Sequence, residues 1–140
     1  MLVSTDDGLR ALLERSKTIA MVGASPNPSR PSRGVFDALV RAGRYDVSPV
    51  NPTVADIAGV PAFPDLAAYA AKRGAPDIVD VFRNPADAPE VTREAIAAGA
   101  KAIWYQLGVV NDDAIEAADA AGLDVVVDRC IKVEMARLLR

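Results

Sequence analysis

The sequence predicts a doubly wound α/β domain, a parallel sheet covered by helices on both faces, and three observations carry this. Short apolar runs alternate with segments of helical periodicity along the whole chain. The runs are solidly apolar rather than alternating, as strands buried on both sides are. The 140 residues, 51% hydrophobic and 25% charged, fit the size and composition of one soluble domain.

Each element has its own signal. Thr5, Asp6 and Asp7 precede LRALLERS, which predicts a capped helix with Leu9, Leu12 and Leu13 on one face. KTIAMVGAS, ending in Gly23 and the residues after it, reads as the first buried strand. Residues 25–33, SPNPSRPSR, hold three prolines and are predicted as loop. Residues 34–43 form a helix with Val35, Phe36, Leu39 and Val40 at helical spacing and a glycine stop. Residues 45–50 are a second strand, closed by Asn51-Pro52.

A segment punctuated by proline and glycine follows, with a modest helix at residues 64–74. Residues 77–83 read as the third strand and residues 85–100 as a helix with Gly99 near its end. Residues 101–108 are the fourth strand, running into a glycine turn. NDDAIEAADAAG begins at Asn111 with acidic residues where a helix dipole favours them. Residues 123–129 make the fifth strand and residues 131–139 a final short helix. No repeat, linker or low-complexity tract interrupts this pattern, so residues 1–140 are read as a single domain.

Composition excludes much chemistry. The net charge of −3 argues against sequence-independent nucleic-acid binding and against an anionic-membrane binder, so any phosphate site must be local. With no histidine, the Ser-His-Asp and Cys-His engines, histidine-ligated metals and a phosphohistidine intermediate are all ruled out within this chain. Cys130 is the single cysteine, so neither an intrachain disulfide nor a cysteine metal cluster can form. The acidic start MLVSTDDGLR is unlike a signal peptide, and no apolar run approaches a membrane span. A cytoplasmic location is expected.

In a parallel sheet with right-handed crossovers, the loops after each strand share one edge, where such folds bind ligands. The first of these loops is the most informative. Gly23 allows close backbone approach and leaves following N–H groups able to face a pyrophosphate. GASPNP nevertheless lacks the three glycines of the dinucleotide fingerprint, and the second strand ends in Asn51 rather than the acidic residue that holds a NAD ribose. No GK[ST] motif occurs. Arg30 and Arg33 flank Ser29 and Ser32, a composition suited to an anionic phosphate or to two solvated loop arginines. Asp112 and Asp113 fit a helix start better than a metal site, and Trp104-Tyr105 fits core and rim better than a stacking platform. Cys130 reads as a small buried side chain at a helix start before it reads as a reactive thiol.

Four segments in order and spacing then bring a family into view. VGASPNPSRPSRGVFDALVRAGRYDVSPVNP, DIVDVFRNPADAPEV, GAKAIWYQLGVVND and LDVVVDRCIKVE closely resemble the small stand-alone CoA-binding proteins. These are Rossmann-like domains similar to the CoA-binding domain of the succinyl-CoA synthetase alpha subunit. The resemblance implies a five-stranded, three-layered parallel fold and a coenzyme A site along the carboxyl edge of the sheet. It implies Gly23, Ala24 and Ser25 as the floor under the pyrophosphate, with Arg30 and Ser32 on phosphate oxygens. Asn51 and Pro52 would border the adenosine half, Phe82 and Arg83 the nucleotide and pantetheine arm, and Gln106 and Gly108 the far side. Met135 stands where relatives often have histidine, which makes chemistry at this segment a poorer expectation.

The expected function is therefore binding of coenzyme A or an acyl-CoA without catalysis. Two rivals stay open: a CoA-linked enzyme subunit acting with a partner chain, and a NAD(P)-binding sensor on the same fold. The chain is too short to include a nucleotide-grasp domain beside this one. A homodimer is also open, although no sequence patch identifies an interface.

Overall fold

The computed structural model describes residues 1–139. Thr5 opens α1 (Asp6–Arg15) with extended backbone, and its side-chain oxygen accepts the Gly8 N–H, satisfying one orphan donor of the first turn. The chain continues through β1 (Thr18–Val22), α2 (Pro31–Ala42), β2 (Asp46–Val50), β3 (Asp56–Ile57) and β4 (Val60–Pro61). Next come α3 (Leu66–Arg73), β5 (Ile78–Val81), a single 3₁₀ turn (Pro85–Asp87) and α4 (Ala88–Ala97). The last elements are β6 (Ala102–Tyr105), α5 (Asp112–Ala120), β7 (Asp124–Val127) and α6 (Ile131–Leu138).

Five strands form one sheet in the order β2-β1-β5-β6-β7, with every pairing parallel. Successive side chains of a strand point to opposite faces, and here both faces are apolar. Ile19, Met21, Ile78, Trp104 and Val126 pack with residues of α1, α2 and α6. Ala20, Val22, Val79, Ile103 and Val125 pack with α3, α4 and α5. Each such valine, isoleucine or methionine side chain is worth about 1.5–3 kcal/mol when taken from water, so the layering is driven from both sides of the sheet. The result is the three-layered Rossmann-like fold expected. No described helix is long and apolar enough to cross a membrane.

Two local expectations need correction. The loop predicted for residues 25–33 ends early, because α2 begins at Pro31 with Arg30 as its extended N-cap. Proline suits the first helical position, where its fixed φ is already helical and its missing N–H would have had no partner. Ser32 therefore sits in a helical turn. The punctuated segment also contains a hairpin, β3–β4, which pairs outside the main sheet. Its turn residues Ala58 and Gly59 both have positive φ, at 50° and 84°, the handedness that two-residue hairpin turns favour. The Asp56 carboxylate braces the turn by accepting Gly59 N–H at 2.9 Å.

Gly23, immediately after β1, is the most closely approached of the glycines. Its φ is +84°, and a Cβ there would lie 1.9 Å from the Phe82 carbonyl oxygen, against backbone that cannot swing away. Phe82 N–H in turn donates to the Val22 carbonyl at 2.8 Å.

One ionisable side chain interrupts the apolar face. Asp80 lies in β5 opposite Met21 and Trp104 of the flanking strands and is 0% exposed. Gln106 Nε2 donates to its Oδ1 at 2.5 Å, while Oδ2 meets no partner among the described residues. Burial pushes the carboxyl up to about 7, and the Gln106 hydrogen bond opposes that rise.

Gly23→Ala is expected to cost on the order of 3–5 kcal/mol in urea denaturation, from the clash together with the left-handed backbone. Gly43→Ala, at φ +68° in open space, is the control and should cost only about 1 kcal/mol. Equal losses would show that the Phe82 contact does not constrain the fold. For Asp80, the folded carboxyl binds its proton more tightly than the unfolded one, whose ordinary value is 3.8. Its contribution to stability is full below that value and is lost as pH rises to about 7. Asp80→Asn should therefore be more stable relative to the wild type at pH 8 than at pH 4, by on the order of 4 kcal/mol. A pH-independent difference would contradict this assignment.

Candidate functional site

Strand order reverses between β1 and β5: the chain leaves β1 outward to β2, then returns to β5 on the other side. Loops that follow these two strands diverge and leave a crevice at the carboxyl edge, the preferred binding place of open α/β sheets. A cleft of about 600 Å³ occupies this position. The loops after β1, β5 and β6 wall it, together with the starts of α2 and α6.

The first loop is held by its own short polar side chains. Ser25 N–H donates to Ser32 Oγ at 3.1 Å, and Ser25 Oγ accepts Asn27 N–H at 3.1 Å. Asn27 Oδ1 accepts both Ser29 N–H, at 3.0 Å, and the Ser29 hydroxyl, at 2.9 Å. Side chains of this type compete well with water for nearby backbone and so set the loop's shape. The two arginines here have different tasks. Arg33 donates through Nε to Asp37 at 2.9 Å and through Nη1 to the Pro26 carbonyl at 2.5 Å, tying the loop to α2. Arg30 lines the cleft at the N-terminus of α2, and its side chain meets no partner among the described residues. The first turn of α2 carries no acidic residue, so the positive end of the helix dipole is not offset there.

Arg83 adds a second positive charge from the β5 loop. Its ion pair with Asp87, at 3.3 Å, is largely exposed and so worth no more than about 1 kcal/mol, an easily exchanged contact. No carboxylate lines the cleft, which makes it locally cationic on a chain of net charge −3. Phe82, Val35, Leu107 and Val109 supply apolar wall, and Leu107 is 66% exposed at the mouth. Gln106, 3% exposed, lines the cleft directly above Asp80.

Seven of the residues expected from the sequence converge on this cleft: Gly23, Ser25, Arg30, Ser32, Phe82, Arg83 and Gln106. Four others lie beside it and outside its lining. Ala24 is buried and its carbonyl accepts Asn51 Nδ2 at 2.9 Å. Asn51 Oδ1 also accepts Thr53 N–H and the Thr53 hydroxyl, at 2.8 and 2.7 Å, so its amide braces the loop from both ends. Pro52 is exposed in that turn. Gly108 turns with φ +80° and donates its N–H to Asp128 Oδ1 at 2.8 Å.

Several lining residues were absent from the sequence expectation. Val35 has helical spacing and reads as core, while Pro31 and Asn84 read as punctuation. Leu107 and Val109 carry no signal beyond hydrophobicity. Cys130 is half-buried and belongs to the cleft wall, at the N-cap of α6 with no capping hydrogen bond. Trp104 Nε1 donates to the Arg129 carbonyl at 2.8 Å and fixes this corner to the sheet. Among the described residues no cluster of three or more His, Cys, Asp or Glu could hold a metal ion.

Comparison with known proteins identifies the family of the chain. Residues 17–136 match the CoA binding domain family. The chain is 40% identical over 128 residues to "Uncharacterized protein YneT" of Bacillus subtilis (strain 168), spanning 91% of this chain and 92% of that one. A hypothetical protein from Pyrococcus horikoshii OT3 superposes with a TM-score of 0.90 at 39% identity, over 98% of this chain and 94% of that one. The fold also recurs, at 21% identity and a TM-score of 0.67, in a dinucleotide-forming acetyl-coenzyme A synthetase of Ca. Korarchaeum cryptofilum. There it matches 78% of this chain and 25% of the synthetase. With the family match spanning most of its length, the chain belongs to the CoA binding domain family.

Proposed function

We propose that the cleft between the β1, β5 and β6 loops binds coenzyme A or an acyl-CoA, and that it acts by recognition without turnover. The observation that carries this is Arg30. A guanidinium without a protein partner stands at a helix start, beside a loop whose backbone approaches closely at Gly23. That is a place for phosphate oxygens, because charge-assisted hydrogen bonds to arginine add to the pull of the helix N-terminus. Arg83 stands within the same cleft and can exchange its exposed Asp87 contact for a second phosphate. The apolar wall of Phe82, Leu107 and Val109 suits the pantetheine arm or an acyl chain. Membership of the CoA binding domain family supports this choice of ligand. The ionisable side chains lining the cleft are two arginines and one cysteine, a set suited to holding an anion.

Isothermal titration of ligand-stripped protein should give saturable one-to-one binding of CoA and much weaker heat with NAD. Arg30→Ala should weaken CoA binding by about tenfold or more, the loss of a charged hydrogen bond, while leaving thermal stability unchanged. Gly43→Ala, remote from the cleft, should bind as the wild type does. Absence of CoA binding, or equal affinity for NAD, would overturn the proposal.

A further inference from the structure

Asp80 is the one described side chain that is fully buried and leaves an oxygen without a partner. It lies one residue before the last position of the central strand β5, on the side of the sheet that faces α1, α2 and α6. Its single hydrogen-bond partner is Gln106, whose side chain lines the cleft. A buried carboxyl at this position in an otherwise apolar strand is a liability for folding, as worked out above. Its location under a wall residue of the cleft gives it a task.

We infer that Asp80 is a positioning residue that decides which end of the Gln106 side-chain amide faces the cleft, and thereby whether the site takes a hydrogen-bond donor or an acceptor from its ligand. An ionised carboxylate can only accept. It therefore draws Gln106 Nε2 inward, as observed at 2.5 Å, and leaves Oε1 with no donor among the described residues. A ligand N–H then completes the pair. Once Asp80 carries a proton, its O–H can donate to Oε1 instead. The amide then makes a half-turn about its last torsion and shows its NH₂ to the cleft, which favours a ligand acceptor. Oxygen and NH₂ are close in size, so the exchange needs no repacking of the core.

The surroundings leave this choice to Asp80 itself. Beside it, β1 presents Met21 and β6 presents Trp104, while α1 contributes leucines to the same core. On the α6 side stand Cys130 and Arg129, the latter turned toward Glu134 and the Ser4 carbonyl. On the α2 side Arg33 is engaged by Asp37 and Arg30 faces the cleft. In the β5 loop, Arg83 is paired with Asp87. No charged group shifts the Asp80 carboxyl; burial raises it and Gln106 opposes the rise, which sets the exchange near neutral pH.

Coenzyme A offers N–H donors on the two pantetheine amides and on the adenine amino group, so the ionised state is the one that suits it. This identification rests on the CoA reading; the amide exchange does not. The test uses both levels. In ligand-free protein, NMR of the Asp80 carboxyl carbon and the Gln106 side-chain amide from about pH 5.5 to 8.5 should show both moving with one midpoint. The Gln106 amide should stop moving in Asp80→Asn. CoA affinity should rise about threefold or more from pH 6 to pH 8 in the wild type relative to Asp80→Asn, a ratio that cancels titration of CoA itself. Gln106→Met, which keeps Asp80, should lose the same pH dependence and serves if Asp80→Asn does not fold. 3′,5′-Adenosine diphosphate keeps the dependence if the donor is adenine and loses it if the donor is a pantetheine amide. A Gln106 amide that stays still while Asp80 titrates, an Asp80 that titrates as an ordinary carboxyl, or identical pH slopes in wild type and Asp80→Asn would overturn the inference. Failure of CoA to bind at any pH would instead overturn the CoA reading, and the NMR result alone would then decide the role of Asp80.

Discussion

The contact between Gly23 and the Phe82 carbonyl is the constraint on which the rest of the molecule depends. Strand order reverses at this point, so the chain must leave β1 and β5 in different directions while the two strands stay paired to their ends. Close approach there requires a residue without Cβ and with left-handed backbone, and Gly23 supplies both. From that point the first loop runs to α2 and the β5 loop runs to α4. The cleft is the space between them, so the packing contact and the candidate site have one origin.

The cleft is held in shape by its own side chains. Ser25, Asn27, Ser29, Ser32 and Arg33 spend their polar groups on one another and on nearby backbone. Arg30 alone among the loop's charged side chains is left facing the cleft without a partner. On the proposed reading, ordering the loop in advance would lower the entropy cost of binding, and positive charge concentrated at one edge would let an acidic protein hold an anion. Asp80 works against this economy of stability. A buried carboxyl with one orphaned oxygen weakens the fold at neutral pH, a sacrifice typical of places where a side chain's orientation matters more than its contribution to folding.

How far each part could be read in advance follows from the range of the interaction that sets it. Strand runs such as TIAMV and AIWY have no other stable role in a chain this size, because both their faces are apolar. Helix starts at Thr5 and Asn111 are local side-chain-to-backbone contacts, legible three residues at a time. Pro31 could have been read as a helix start, but the prolines before it made the whole stretch look like loop. The β3–β4 hairpin is only two residues per strand, too short for any alternation to show. At the site, Gly23, Arg30 and Gln106 were legible from the family resemblance. Two features were not legible: that Asn51 braces the first loop through Ala24 and Thr53, and that Asp80, a plain strand residue along the chain, meets Gln106 across the sheet.

By itself, the sequence determined the architecture, the exclusion of histidine chemistry, and the edge of the sheet on which a ligand would lie. These depend on periodicity and composition, which act along the chain. Only the tertiary structure decided which of two neighbouring arginines is free, which expected residues share one cleft, and that Gln106 stands on a buried carboxyl. Those outcomes depend on contacts between residues far apart in sequence, such as the Asp80–Gln106 hydrogen bond across 26 positions. A side chain's chemistry follows from its partners, and partners of that kind exist only once the sheet has formed.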